Sequence, residues 1–416
     1  MKSNTHLCCL GIILFVFFFI QQGISTFTYA QTKIEGLSYI DNLPISVEIE
    51  NGYIKTITHI ESLPKESKKV YIAPGLFDNQ VNGGNGIYFA ASEGINLADV
   101  RTVTRNQWSV GVTTYLPTLT SNSKEILLQN LTVLSQAFND PEIKGSIGGI
   151  HMEGPYISPV EGFRGAHSPK YIRKADWTEF MDFYNASGKH IVTVTVAPET
   201  DGAIEFIRKC TEMNIVIALG HHNASSRVIE EAVEAGARIC THLGNGCANM
   251  INRHENPLWP QLARNKLMVS LICDGFHLND DEIKVFYGIK GTERTIITSD
   301  ITRLAGLTPG TYQTADGKEL ELTESGKVQY PAQKVLAGSA LSLNVGVKHL
   351  MDVTGCSLAE AIRMGSTNPA RLYGFTDRGE LKPGMRADLI LFTIGDKKLD
   401  IEKTYVDGEL VFSIVQ

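Results

Sequence analysis

Four residues whose types suit a single reaction stand at or just after the C-terminal ends of apolar segments: Glu153, His221, His242 and Asp300. A carboxylate with two imidazoles is an oxygen and nitrogen donor set suited to Zn2+, with Fe2+ or Mn2+ as other occupants. Three protein ligands leave a coordination position open for water. Such a cation lowers the pKa of its water toward ~7 and polarises a carbonyl, while a nearby carboxylate takes the proton and returns it to the leaving group. Asp300 is the candidate for that second carboxylate. Taken singly, each residue has a structural reading: a strand-end histidine can simply satisfy a hydrogen bond, and an aspartate there can cap the next helix. Their separations of 68, 21 and 58 residues, each about one strand-helix unit or a small multiple of it, favour the joint reading. His222 competes with His221 but points to the opposite face if the strand continues, which places it behind the ligands. His151 shares a face with Glu153, and Glu153, nearer the strand end, is the better ligand.

The elements that must position these groups follow from the hydrophobic pattern. From about Ala73 to Gly365 apolar runs alternate with helical stretches: Ile147–His151, Ile191–Ala197, Ile215–Leu219, Arg238–His242, Met268–Cys273 and Thr295–Thr298. That alternation predicts an α/β architecture, a parallel sheet covered by helices, and in a (β/α)8 TIM-type barrel strand ends of this kind converge on one mouth. The flanks differ. Ile45–Ile49 and Tyr53–Ile57 alternate around Asn51-Gly52, and Asp388–Phe392 and Glu409–Phe412 are short strands with turns at Pro383-Gly384 and Asp407-Gly408. Neither flank is large enough to stand alone. Residues 31–73 and 366–416 are therefore expected to form one small β-sandwich domain from the two chain ends, beside a barrel of residues 74–365.

With 43% hydrophobic and 20% charged residues, 38 Gly and 15 Pro, the 416-residue chain has a globular profile, which excludes disorder, collagen-like repeats and coiled coil. Its 38 Lys+Arg against 45 Asp+Glu offer no general attraction for polyanions, so a small-molecule partner is expected and nucleic acid is not. Lys2 and His6 precede Leu7–Ile20, a run of 14 residues too short for a usual membrane span, and Thr28-Tyr29-Ala30 supplies a cleavage pattern. Residues 1–30 thus read as a secretory signal peptide and the protein as exported, periplasmic or extracellular; an uncleaved anchor is the other reading, and a cytoplasmic protein follows if there is no signal. Cys8 and Cys9 leave with that peptide. The remaining Cys210, Cys240, Cys247, Cys273 and Cys356 are odd in number and hold no CxxC pair, so they read as buried thiols.

Seven blocks carry a resemblance: His151-Met-Glu-Gly-Pro-Tyr156, Gly220-His-His-Asn-Ala224, Thr241-His-Leu-Gly-Asn245, Cys273-Asp-Gly-Phe-His277, Ser299-Asp300, Leu336-Ala-Gly-Ser339 and Gly384-Met-Arg-Ala-Asp-Leu389. In this order, from about Pro74 to Leu391, they resemble the N-acetylglucosamine-6-phosphate deacetylase family of the amidohydrolase superfamily. The resemblance implies a (β/α)8 barrel with a small β-sandwich, and hydrolysis of the N-acetyl group of an amino sugar to acetate and the free amine. It implies Glu153, His221 and His242 as ligands of one divalent metal per subunit, Zn2+ foremost, and Asp300 as general base and acid. His167, in Gly165-Ala-His-Ser, would help polarise the acetyl carbonyl, with Ala166 lining the sugar site. Asn245, Gly246, Arg253, His277, Leu336, Ala337 and Gly338 would line the sugar and phosphate site. In the family the arginine reaches across from a neighbouring subunit, which implies a homodimer.

Where many amidohydrolases carry His-x-His for a second metal, this chain reads Asp78-Asn-Gln-Val-Asn82. The neutral amides of Gln80 and Asn82 compete weakly with water for Zn2+, so a single metal is expected and the second position stays vacant. Gly244 and Gly246 flank Asn245 where the family usually has an aromatic residue and an alanine. The block Arg253-His-Glu-Asn-Pro257 holds one extra residue, so Arg253 and His254 both remain candidates to face the ligand. An exported enzyme would meet an unphosphorylated N-acetylhexosamine, a cell-wall fragment or another N-acyl compound rather than a sugar phosphate. Two other functions share parts of this evidence: a different amidohydrolase, such as an N-acyl amino-acid deacylase or a cyclic-amide hydrolase, and a sugar-binding protein without catalysis, which needs no base at Asp300.

Overall fold

Apolar segments that are buried on both faces form the staves of a barrel. In the computed structural model, which describes residues 32–64, 68–314, 317–333 and 335–414, eight strands lie side by side in chain order. They are β1 (Leu76–Val81), β2 (Val112–Thr120), β3 (Ile150–Glu153), β4 (Ile191–Val196), β5 (Val216–Leu219), β6 (Ala237–Cys240), β7 (Met268–Ile272) and β8 (Thr295–Thr298). Every neighbouring pair is parallel. A helix follows each strand, from Leu97–Ser109 after β1 to Leu343–Thr354 after β8. Two of these helices start on full capping boxes, Asn96 with Asp99 and Asn279 with Glu282, which satisfy the free N–H groups of the first turn. The expected signal peptide lies outside the described residues, and no helix among those described is long and apolar enough to cross a membrane.

The barrel closes without a regular ladder between β8 and β1. One bridge pairs Val81 with Ile301, and the Asn82 N–H donates to the Ile301 carbonyl at 2.8 Å. Asp78 on β1, fully buried, supplies the rest with its side chain. Its carboxylate accepts from the Thr298 hydroxyl at 3.1 Å, the Ser299 N–H at 3.2 Å and the Ser299 hydroxyl. Burial pushes its pKa up to about 6 even against those donors.

The two chain ends meet in one seven-stranded sheet. Tyr71–Pro74 pairs in parallel with Thr32–Ser38 on one side and antiparallel with Leu389–Ile394 on the other. The sheet curls far enough for Tyr53 to bridge Arg386, and it holds a separate core that includes Val47, Ile54, Ile72 and Leu389. Both hairpin turns read from sequence are present: Asn51 and Gly52, like Asp407 and Gly408, have positive φ in succession, the backbone of the tight turns that match strand twist.

Three details depart from expectation. The third barrel strand begins at Ile150 rather than Ile147, because Gly148 and Gly149 (φ 148°) interrupt it and leave Ile147 only an isolated bridge to Tyr115. Between β8 and its helix the chain inserts a four-stranded antiparallel sheet, Gly310–Gln313, Glu319–Leu322, Val328–Tyr330 and Val335–Leu336, around Leu304, Leu320, Leu322 and Val328. Of the five thiols, Cys210, Cys240 and Cys273 are buried, whereas Cys247 and Cys356 are half-buried.

Replacing Asp78 by Ala strands the three Thr298 and Ser299 donors at the seam and the Gln80 N–H, which also reaches the carboxylate at 3.3 Å. The expected cost is about 3 kcal/mol of stability, read from urea unfolding; a wild-type midpoint would show that the backbone bridge alone closes the barrel.

Candidate metal centre and active site

The ladder stops early on three strands, and in each case the second residue beyond it carries chemistry. His221 follows Leu219 of β5, His242 follows Cys240 of β6, and Asp300 follows Thr298 of β8. All three have left-handed backbone, with φ of 53°, 29° and 51°. Non-glycine residues rarely adopt that region, at a cost of order 1–3 kcal/mol each, and surrounding bonds must hold them there. Those bonds are present. The Ser158 N–H donates to the His221 carbonyl at 3.0 Å, the His242 N–H to the Ser270 hydroxyl at 2.8 Å, and the Ser339 N–H to the Asp300 carbonyl at 2.9 Å. Glu153 needs no such turn, being the last residue of β3.

These side chains converge. Glu153 Oε1 lies 2.9 Å from His242 Nε2 and 3.3 Å from His221 Nε2, and one ligand atom of each residue falls within 4.8 Å of the others. All three residues are at most 6% exposed. His221 Nδ1 faces the Phe163 carbonyl at 3.1 Å, to which it donates, so Nε2 turns its lone pair to the centre. Burial alone would raise the Glu153 carboxyl, but the imidazoles of His221 and His242 hold it well below the usual carboxylate range. The same carboxylate raises the pKa of His242 against the effect of burial. A buried carboxylate with two imidazoles, one of them already oriented by a backbone carbonyl, fits a divalent cation of the zinc type.

Gln80 joins this cluster to the second carboxylate. Its Nε2 donates to Glu153 Oε1 at 2.8 Å and to Asp300 Oδ1 at 2.9 Å, while Asn82 Nδ2 donates to the same Asp300 oxygen at 2.7 Å. Both amides thus turn N–H groups toward the two carboxylates. Burial and the Glu153 charge raise the Asp300 pKa to about 6. His167 completes the group. The Ser121 N–H (3.4 Å) reaches its Nδ1, with the Ser121 hydroxyl at 2.9 Å, so the neutral ring carries its proton on Nε2, which lies 3.9 Å from Glu153 Oε2. Burial and the nearby His221 ring lower the His167 pKa to about 3, so near neutral pH it is a hydrogen-bond donor without charge.

Comparison with known proteins places this geometry. Residues 71–411 match the amidohydrolase family. The chain belongs to that family. It is similar to the N-acetylglucosamine-6-phosphate deacetylase of Mus musculus, 33% identical over 353 residues that cover 82% of this chain and 83% of the relative. It is 28% identical to the N-acetylgalactosamine-6-phosphate deacetylase of Escherichia coli O157:H7, covering 88% of this chain and 94% of the other. The solved N-acetylglucosamine-6-phosphate deacetylase of Thermotoga maritima superposes with a TM-score of 0.81 at 29% identity, over 92% of this chain and 100% of that one. Within the amidohydrolases it thus falls in the family of the N-acetylglucosamine-6-phosphate deacetylases.

The remaining residues of interest surround the centre unevenly. His277 is half-buried, and its Nδ1 donates to Asp274 Oδ2 at 2.8 Å. Leu336, Ala337 and Gly338 are half-buried, and Gly338 (φ 67°) packs so closely on the Asp300 carbonyl that a Cβ would stand 2.9 Å from it. Asn245 donates its N–H to the His242 carbonyl at 2.9 Å, and its Nδ2 is buried with no partner among the described residues. Gly246 packs on the His221 ring, where a Cβ would come within 2.7 Å of Nδ1. Ala166, Arg253 and His254 are exposed instead. His222 sits behind the ligands, but by a turn rather than by strand alternation: β5 has ended, and its Nδ1 accepts from the Ala224 N–H at 3.2 Å. Sequence reasoning missed Ser121 and Phe163, which orient the two histidines; only the position of Ser121, one residue beyond β2, offered a signal.

Replacing His242 by Ala removes one of three ligands and is expected to cut the metal content of the purified protein to a small fraction of one equivalent. Elemental analysis showing full occupancy would remove His242 from the ligand set.

Proposed function

We propose that this amidohydrolase removes the acetyl group of an N-acetylated amino sugar, N-acetylglucosamine 6-phosphate or a close relative, to give acetate and the free amine. The observation that carries the reading is the pair of buried carboxylates bridged by Gln80, one against two imidazoles and the other raised to about 6. The relatives named above, deacetylases of hexosamine 6-phosphates, supply the substrate class. Glu153, His221 and His242 would hold one divalent cation, with Zn2+ best matched to the donors. Bound there, it would acidify water and polarise the acyl carbonyl.

The protein's own groups do the rest. Asp300, ionised above about pH 6, takes a proton from the attacking water and delivers it to the departing nitrogen. The Nε2–H of His167 is placed to donate to the acyl oxygen as negative charge develops on it. Gln80 and Asn82 fix the Asp300 oxygen that accepts the proton and keep the two carboxylates apart in affinity for it. Arg253, exposed on its loop, suits a contact with a second copy of the chain, and a homodimer belongs to this reading.

Asp300→Asn is expected to leave metal content unchanged and to lower kcat by at least about 100-fold; wild-type turnover would end its role as base. Because the base works only when ionised, kcat/KM should fall as pH drops through about 6 or somewhat lower, since a cation nearby favours the ionised form. Acetate release from N-acetylhexosamines with and without a 6-phosphate, set against N-acetyl amino acids, tests the substrate class. Activity confined to the amino acids would overturn it.

A further inference from the structure

Three interior side chains that the reaction above does not use form a continuous row beneath the metal centre. His151, buried on β3 two residues before Glu153, places Nε2 2.8 Å from the Thr195 hydroxyl of β4. The Thr195 Oγ1 lies 2.8 Å from Thr241 Oγ1, on the residue directly before His242. Strand β5 runs between β4 and β6, yet the two threonines touch across its end. They can do so because the intervening residue is Gly220, directly before His221: a Cβ there would lie 2.7 Å from Thr241 Cβ and 2.8 Å from Thr195 Cγ2. On its far side His151 Nδ1 lies 3.4 Å from the Thr118 hydroxyl of β2.

The row thus touches the carrier of every ligand: His151 lies two residues before Glu153, Thr195 and Thr241 pack on Gly220 directly before His221, and Thr241 directly precedes His242. The backbone ladder pairs Glu153 directly with Thr195 but stops two residues short of each histidine, where only the Gly220 N–H to Val196 carbonyl (3.3 Å) and Thr241 N–H to Leu219 carbonyl (2.8 Å) bonds continue it. We propose that the His151–Thr195–Thr241 row is a positioning element that sets the spacing of the three metal ligands, so that its hydroxyls govern cation affinity. The proposal rests on the ligand assignment made under Proposed function.

The test is a titration of the full chain, stripped of metal, with Zn2+ in competition with a chromophoric chelator, so the readout is affinity and not turnover. Thr195→Val and Thr241→Val keep shape and remove a hydroxyl, and each is expected to weaken Zn2+ binding about tenfold, as loss of a group behind a ligand does. The double variant should be little worse than either single one, because the hydroxyls act as one chain. Thr195→Ser and Thr241→Ser, which keep the hydroxyl, should bind as the wild type does. Thr195→Ala or Thr241→Ala is read in place of a valine variant that fails to fold. Valine variants within twofold of wild type, or serine variants as weak as valine, would overturn the row alone. A wild-type chain that takes up no Zn2+ would overturn the ligand assignment with it.

Discussion

A carboxylate taken out of water costs several kcal/mol unless neighbours replace its hydration, and this barrel buries two of them at one mouth. The penalty is met differently for each, and the difference creates the chemistry. Glu153 is surrounded by cationisable rings and an amide donor, so it stays ionised, the state in which it would bind a cation. Asp300 receives only neutral amides and lies within the field of Glu153, so its proton affinity rises toward neutrality. Two acids of the same kind are thereby driven to opposite roles by their surroundings. Gln80 is the hinge of the arrangement, since one nitrogen serves both.

The rest of the fold maintains that asymmetry. Short strands end beneath the site, left-handed residues fold the next side chains over the mouth, and polar groups from adjacent loops pin those residues in place. Phe163 and Ser121 set opposite orientations for two neighbouring rings: one offers a lone pair and the other an N–H. A lone pair and an N–H are thus presented by the same residue type, on rings 4.5 Å apart.

Much of this was legible from residue type and spacing. Glu153, His221, His242 and Asp300 stood out because polar residues at successive strand ends have one place to meet in a closed barrel. The Asn51-Gly52 and Asp407-Gly408 turns were legible because few residues tolerate their backbone. Other features had no local signature. The insertion at Gly310–Leu336 consists of strands of two to four residues, too short for a periodic signal. The start of β3 was misplaced because Ile147 is apolar while the Gly148-Gly149 break is a backbone effect. The exposure of Arg253 depends on the path of a loop, and the contact between Thr195 and Thr241 depends on the side chain that Gly220 lacks, so neither could be read from a pattern of side chains.

The pairing of Tyr71–Pro74 carries a consequence for how the chain is made. That strand has its first partner, Thr32–Ser38, at hand as soon as it is synthesised, but its second, Leu389–Ile394, is encoded beyond the whole barrel. A nascent chain therefore carries an unsatisfied strand edge throughout translation of the barrel, and such an edge is a template for pairing with other chains. Only the late arrival of the C-terminal strands on the ribosome's schedule retires it.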